Sequence, residues 1–153
     1  MSFLGCADFR AGYNGPVVAV DTFLAIENNP GLCAASDYVA ANAHAYFDGT
    51  VAASGAGAWV AQQASKLAAT CPGKSVLITG IFLHLLPLLI SESGWPSAGN
   101  TNGAAVASAA NQQVALSSIL SSMGNKFISF EAFNDAWKAP GDLGVEQYWG
   151  ILN

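Results

Sequence analysis

A chain of 153 residues with a formal charge of −5 and a pI near 4.6 has room for one hydrophobic core and little more. It is 52% apolar and only 10% charged, which excludes a disordered segment. Its five cations, Arg10, Lys66, Lys74, Lys126 and Lys138, are scattered along the chain, which excludes nucleic-acid and anionic-membrane binding, since both need clustered positive charge.

The opening MSFLGCADFRAG has neither a basic start nor a sustained apolar run, so no secretory signal is expected in it. Residues 16–23, PVVAVDTF, follow a Gly-Tyr-Asn-Gly turn and predict a buried strand. Asn28-Asn29-Pro30-Gly31 breaks the chain, with a short helical stretch expected after it. Residues 38–47, YVAANAHAYF, predict a second strand ending at Asp48-Gly49. Residues 57–70, GAWVAQQASKLAAT, carry apolar side chains at helical spacing, and Pro72-Gly73 stops that helix.

A third strand is expected from Ser75. The run 75–91, SVLITGIFLHLLPLLIS, is shorter than the roughly 18 to 20 clean apolar residues of a membrane span and contains His84 and Pro87. It predicts a buried strand, not a span. After the loop ESGWPSAGNTNG, residues 104–123 predict a long Ala/Ser/Gln helix closed by Gly124-Asn125. Residues 127–133, FISFEAF, predict the fourth strand.

Strand, crossover helix, strand is the pattern of parallel βαβ units. A closed barrel of eight such units takes about 250 residues, so four units predict half a barrel or a small open sheet. Open edges would invite self-association. Among Cys6, Cys33 and Cys71, two readings stay open: a Cys33–Cys71 disulfide with Cys6 left over, or three buried thiols. No metal site or cofactor is expected.

In a parallel α/β barrel the chemistry sits where strands end. Those positions hold Asp21 and Thr22, then Asn42, His44 and Tyr46, then Glu92 and Trp95, then Glu131, Asn134, Asp135, Trp137 and Lys138. Carboxylates can act as nucleophile and acid on a glycosidic bond. Amides can bind hydroxyls, and aromatic faces can stack on the CH faces of sugars.

Residues 90–100, ISESGWPSAGN, resemble the nucleophile motif of family 17 glycoside hydrolases, in which Glu-(Thr/Ser)-Gly-Trp-Pro ends strand seven. Residues 130–152, FEAFNDAWKAPGDLGVEQYWGIL, resemble strand eight and the C-terminal closure. GYNGPVVAVDTF and ANAHAYFDG resemble strands five and six. The similarity spans residues 12–153 and is closest to the fungal cell-wall branch. It implies an α/β chain forming the C-terminal half, strands five to eight, of a (β/α)8 barrel. It also implies a retaining hydrolase or transglycosylase of β-1,3-glucan, secreted to the cell wall, with Glu92 as nucleophile. Asn42, His44, Tyr46, Trp95, Glu131 and Lys138 would form the substrate-binding set, with Trp95 shaping the site wall and Glu131 and Lys138 in the polar network around it.

Two features depart from the family pattern. The family's general acid/base lies on strand four in a Gly-Asn-Glu context, and this sequence contains no such tripeptide. Acting alone, the chain is then a crippled enzyme, a non-catalytic glucan-binding remnant, or a structural half-barrel. The family also runs almost directly from Val-Leu-Ile-Thr into the Glu motif, whereas residues 80–91 intervene here as an apolar insertion. A retained intron or gene-model error would account for that run, and sequencing the transcript across residues 76–96 decides it.

Overall fold

The computed structural model describes residues 12–74 and 89–152. In chain order they form β1 Val20–Thr22, α1 Phe23–Asn28, α2 Gly31–Ala35, β2 Ala40–Asn42, α3 Ala56–Thr70, β3 Leu89–Ser93, α4 Ala109–Met123 and β4 Phe127–Ser129. Two 3-10 turns lie at Ala45–Phe47 and Ala53–Gly55. The strands are hydrogen-bonded in the order β1-β2-β3-β4. β1 and β2 run parallel, with Val20 opposite Ala40 and Thr22 opposite Asn42. This is an α/β fold on a parallel sheet.

The chain packs as two compact units, Met1–Asn42 with Gln63–Ser91 and Ala43–Gln62 with Glu92–Asn153. In the first, Ile26, Val39, Ala40, Ala41 and Leu67 are buried. Thr22 caps α1 by accepting a hydrogen bond from Ala25 N at 3.2 Å, satisfying a donor that the first turn leaves orphaned. Cys33 and Cys71 form a disulfide with Cα atoms 5.5 Å apart, joining α2 to the residue after α3. Cys6 lies outside the described residues.

The second unit closes around Tyr46, Val60, Trp95, Ile119, Val145 and Trp149, all essentially inaccessible. Its helix α4 starts at Ser108, whose hydroxyl accepts from Asn111 N at 3.1 Å. It stops at Gly124, whose φ of +58° suits a residue without a side chain.

Several elements differ from the sequence expectation. The strand expected over 16–23 is only Val20–Thr22, and its residues are exposed instead of buried. Among the described residues β1 ends the sheet order, with a strand on one side only and not the two that bury a central strand. The strand expected over 38–47 stops at Asn42, the last residue with a register partner on β1, and the chain then curls into the first 3-10 turn. The helix expected from 104 begins at 109, because Ala104 N donates to Gly49 O at 2.7 Å and Ala105 N to Asn102 O at 2.9 Å. The fourth strand ends at 129. Past it the Phe130–Glu131 peptide is cis, and Glu131 exchanges backbone bonds with Trp149 and Ile151. The start of the third strand and most of the 80–91 run lie outside the described residues; Leu89–Ser91 belong to β3.

Candidate active site

Glu92 is the fourth residue of β3. Its carbonyl accepts from Ala43 N at 2.8 Å, and the next carbonyl, Ser93, accepts from Phe130 N at 2.9 Å. Successive carbonyls of a strand point to opposite sides, so the Glu92 backbone is held between the segments that continue β2 and β4. Its side chain is 37% exposed, with Oε2 3.8 Å from His44 Nε2. That separation is too long for a direct hydrogen bond.

His44 sits in an aromatic cage. Its ring meets Trp149 at 4.9 Å, Phe130 at 5.5 Å and Phe47 at 6.3 Å, all edge to face. The cage orients the imidazole toward Glu92 and leaves its side chain 14% exposed. Among the described residues its buried Nδ1 has no hydrogen-bond partner.

The Glu-Ser-Gly-Trp-Pro turn is anchored by Trp95, which is fully buried and donates its indole N–H to Val106 O at 3.0 Å. Behind it Gln112 of α4, also buried, reaches the carbonyls of Trp95, Trp149 and Gly150 at 2.9, 3.3 and 3.2 Å. Tyr46 packs edge-on against Trp95 at 5.2 Å and donates its hydroxyl to the Asn100 carbonyl. Burial raises the Tyr46 phenol above its ordinary value, so the hydroxyl stays protonated and donates.

A second polar group follows β4. Lys138 Nζ lies 2.6 Å from Asp135 Oδ2 and 3.6 Å from Glu131 Oε2, and 4.8 Å over the Phe130 ring. Burial, with Asp135 sharing a hydrogen bond, raises the Glu131 carboxyl, outweighing the Lys138 charge. The Lys138 hydrogen bond holds Asp135 below its ordinary value. Burial opposes the Lys138 charge, yet the bond to Asp135 and the two carboxylates leave it raised.

The predicted residues therefore fall into distinct places. Glu92 and His44 face each other, and Glu131 and Lys138 pair beside Asp135. Tyr46 and Trp95 have no accessible surface and brace the turn from behind, where a sugar contact was expected. Asn42 lies in the first unit, its side-chain oxygen accepting from the Ser91 hydroxyl at 2.8 Å. Sequence reasoning missed Gln112 and Trp149. Gln112 was findable: it shares one face of α4 with Ala115, Ile119 and Met123, a core stripe in which a polar residue needs partners. Among the described residues no group of three or more His, Cys, Asp or Glu could hold a metal ion.

Residues 7–150 match the BtgE/BtgC glycoside hydrolase domain. The chain belongs to this family. It is 55% identical over 143 residues to the cell surface mannoprotein MP65 of Candida albicans, covering 94% of this chain and 35% of that protein. It is 52% identical to the probable family 17 glucosidase SCW10 of Saccharomyces cerevisiae, covering 94% and 34%. The chain thus spans about a third of the length of these relatives. In structure, the BtgE/BtgC chain is similar to the family 17 β-1,3-glucanosyltransferase of Rhizomucor miehei, also solved as an active-site mutant with laminaritriose. The TM-score is 0.73 for both, at 23% and 22% identity, over 94% of this chain and 48% of that one.

Proposed function

We propose that residues 12–153 form the nucleophile-bearing half of a retaining β-1,3-glucan hydrolase or transglycosylase, with β1 to β4 corresponding to strands five to eight of a (β/α)8 barrel. The observation that carries this reading is Glu92 at the end of β3, half-exposed, with His44 Nε2 3.8 Å from its carboxylate. The names of the relatives and the laminaritriose complex of the Rhizomucor neighbour support the substrate class. The name of the Candida relative supports a place at the fungal cell wall; among the described residues no helix is long and apolar enough to cross a membrane.

In this mechanism Glu92 attacks the anomeric carbon as the glycosidic C–O bond breaks and the departing sugar oxygen takes a proton from the second carboxyl group of the retaining pair; the hydroxyl of water or of a second sugar then displaces Glu92 from the glycosyl-enzyme. His44 lines the site beside the carboxylate, 3.8 Å away. Glu131, Lys138 and Asp135 form the polar rim. Tyr46 and Trp95 hold the wall from behind. The apolar run 80–91 is read as an insertion into strand seven.

Retention also needs a carboxylic acid about 5 to 5.5 Å from the nucleophile, and the Gly-Asn-Glu sequence that supplies it in the family is absent from these 153 residues. A positioned acid contributes about 10² to 10⁴-fold, so the isolated chain is expected to bind glucan and turn it over feebly. A second reading is a glucan-binding remnant without turnover.

The test is turnover and binding of laminari-oligosaccharides by folded wild type and Glu92→Gln. Slow wild-type turnover, lost in Glu92→Gln with laminaritriose binding retained, is expected. Binding without turnover in both proteins assigns the remnant. Equal turnover in both removes Glu92 as nucleophile, and no glucan binding by either removes the substrate class.

A further inference from the structure

Trp137 is 81% exposed, yet its segment is tightly held. Its indole N–H donates to Asp135 Oδ1 at 3.2 Å. Gln147 clamps the backbone on both sides, donating to Ala136 O at 3.1 Å and Lys138 O at 2.6 Å. Lys138 N closes the turn onto Asp135 O at 3.0 Å. An exposed indole adds little to folding, because the apolar area it removes from water is small. Here the turn around it is ordered by hydrogen bonds that do not bury it. An aromatic surface ordered before any ligand arrives is preorganised, which lowers the ordering cost of binding.

The surroundings of the ring identify the kind of ligand. The ammonium of Lys138 is 5.7 Å from the Trp137 ring centroid and the Asp135 carboxylate holds the indole edge. A protein partner is recognised by a contiguous apolar patch. A flat π face rimmed by an ammonium and a carboxylate suits a ligand with one CH face and a girdle of hydroxyls, which is a pyranose.

The position of the ring follows from a series of contacts. Glu92 faces His44, His44 packs on Phe130 at 5.5 Å, Lys138 lies over Phe130 at 4.8 Å, and Trp137 comes next. Trp137 is therefore linked to the nucleophile by a series of side-chain contacts and stands several side chains away from it.

Resting on the glucan reading above, we propose that Trp137 is the stacking platform of an outer sugar subsite that selects for glucan chain length. Short oligosaccharides that occupy the Glu92 end do not reach it; longer ones gain its contact.

The test compares wild type, Trp137→Ala and Trp137→Phe by calorimetric titration with laminaribiose and laminarihexaose, with circular dichroism confirming the fold. Trp137→Ala is expected to weaken hexaose binding by about tenfold, the scale of one aromatic stacking contact, and to leave biose binding unchanged. Trp137→Phe is expected to recover most of the hexaose affinity. Unchanged hexaose affinity in Trp137→Ala overturns the subsite, and so does an equal loss for both sugars. If Trp137→Ala instead converts a sedimenting dimer to monomer at constant hexaose affinity, the ring is a protomer contact and the proposal falls. Wild type binding neither sugar overturns the glucan reading itself, and this subsite with it.

Discussion

At the residue scale, the spelling of the Glu-Ser-Gly-Trp-Pro turn has separate physical reasons. A Cβ on Gly94 would stand 2.1 Å from the Phe130 carbonyl oxygen, so the third position excludes any side chain. Trp95 and Pro96 fill the space below the turn, both fully buried. Glu92 and Trp95 were legible because a carboxylate and an indole beside a Gly and a Pro make a rare string. What a single string does not carry is direction: Trp95 turns inward to Val106, and His44 turns to Glu92.

The Lys138 triad makes a pH prediction at the same scale. Asp135 is held below its ordinary value of 3.8, chiefly by the Lys138 hydrogen bond. Its contribution to stability is therefore present above that value and lost as pH falls through the depressed folded one. Glu131 runs the other way. Burial raises it above 4.5, so its contribution is present below that value and lost as pH rises through the raised one. Asp135→Asn should flatten the acid limb of a plot of Tm against pH while leaving the limb above the carboxylate range in place. An acid limb as steep as in wild type would show that the pair contributes nothing there.

At the element scale, the helices were the most legible parts of the chain. Residues 57–70 were expected and α3 spans Ala56–Thr70, because apolar spacing and the Pro72-Gly73 stop agree. The strands were not legible at their ends. Each is three to five residues long, and a β-branched run continues past the point where its neighbour stops supplying hydrogen bonds. Packing between helices was invisible as well. Gly57, the second residue of α3, donates its N–H to Ser118 Oγ at 3.0 Å, and a Cβ there would lie 2.0 Å from the Ser118 carbonyl oxygen. Two effects of Gly57→Ala compete: about 1 kcal/mol gained from helix propensity, and about 1–3 kcal/mol lost to overpacking against backbone. Backbone cannot rotate away as a side chain can, so we expect net destabilisation, read as a lower midpoint in urea. A higher midpoint would mean that α4 shifts freely.

At the scale of the whole molecule, the sheet ends carry the consequence. Among the described residues β1 is a terminal strand of the sheet order and Val20 on it is 51% exposed, features that favour pairing with other chains. Wild type is expected to sediment as a concentration-dependent mixture, and Val20→Lys to shift it toward monomer, since a charge on an edge opposes pairing. An unchanged distribution would remove β1 as the contact. The parallel α/β class and the helix α3 were legible in the sequence alone, whereas α1 at Phe23–Asn28 was not expected from it. The class and the helix rest on local periodicity, which the chain carries without its fold, and Glu92 was singled out by the resemblance of residues 90–100 to a family's nucleophile motif. Which aromatics are buried, which carboxyl is raised and which lowered, and that His44 rather than a more distant group meets Glu92, only the tertiary structure decided. Burial and charge pairing depend on distances between residues far apart in sequence, such as the 48 positions from His44 to Glu92.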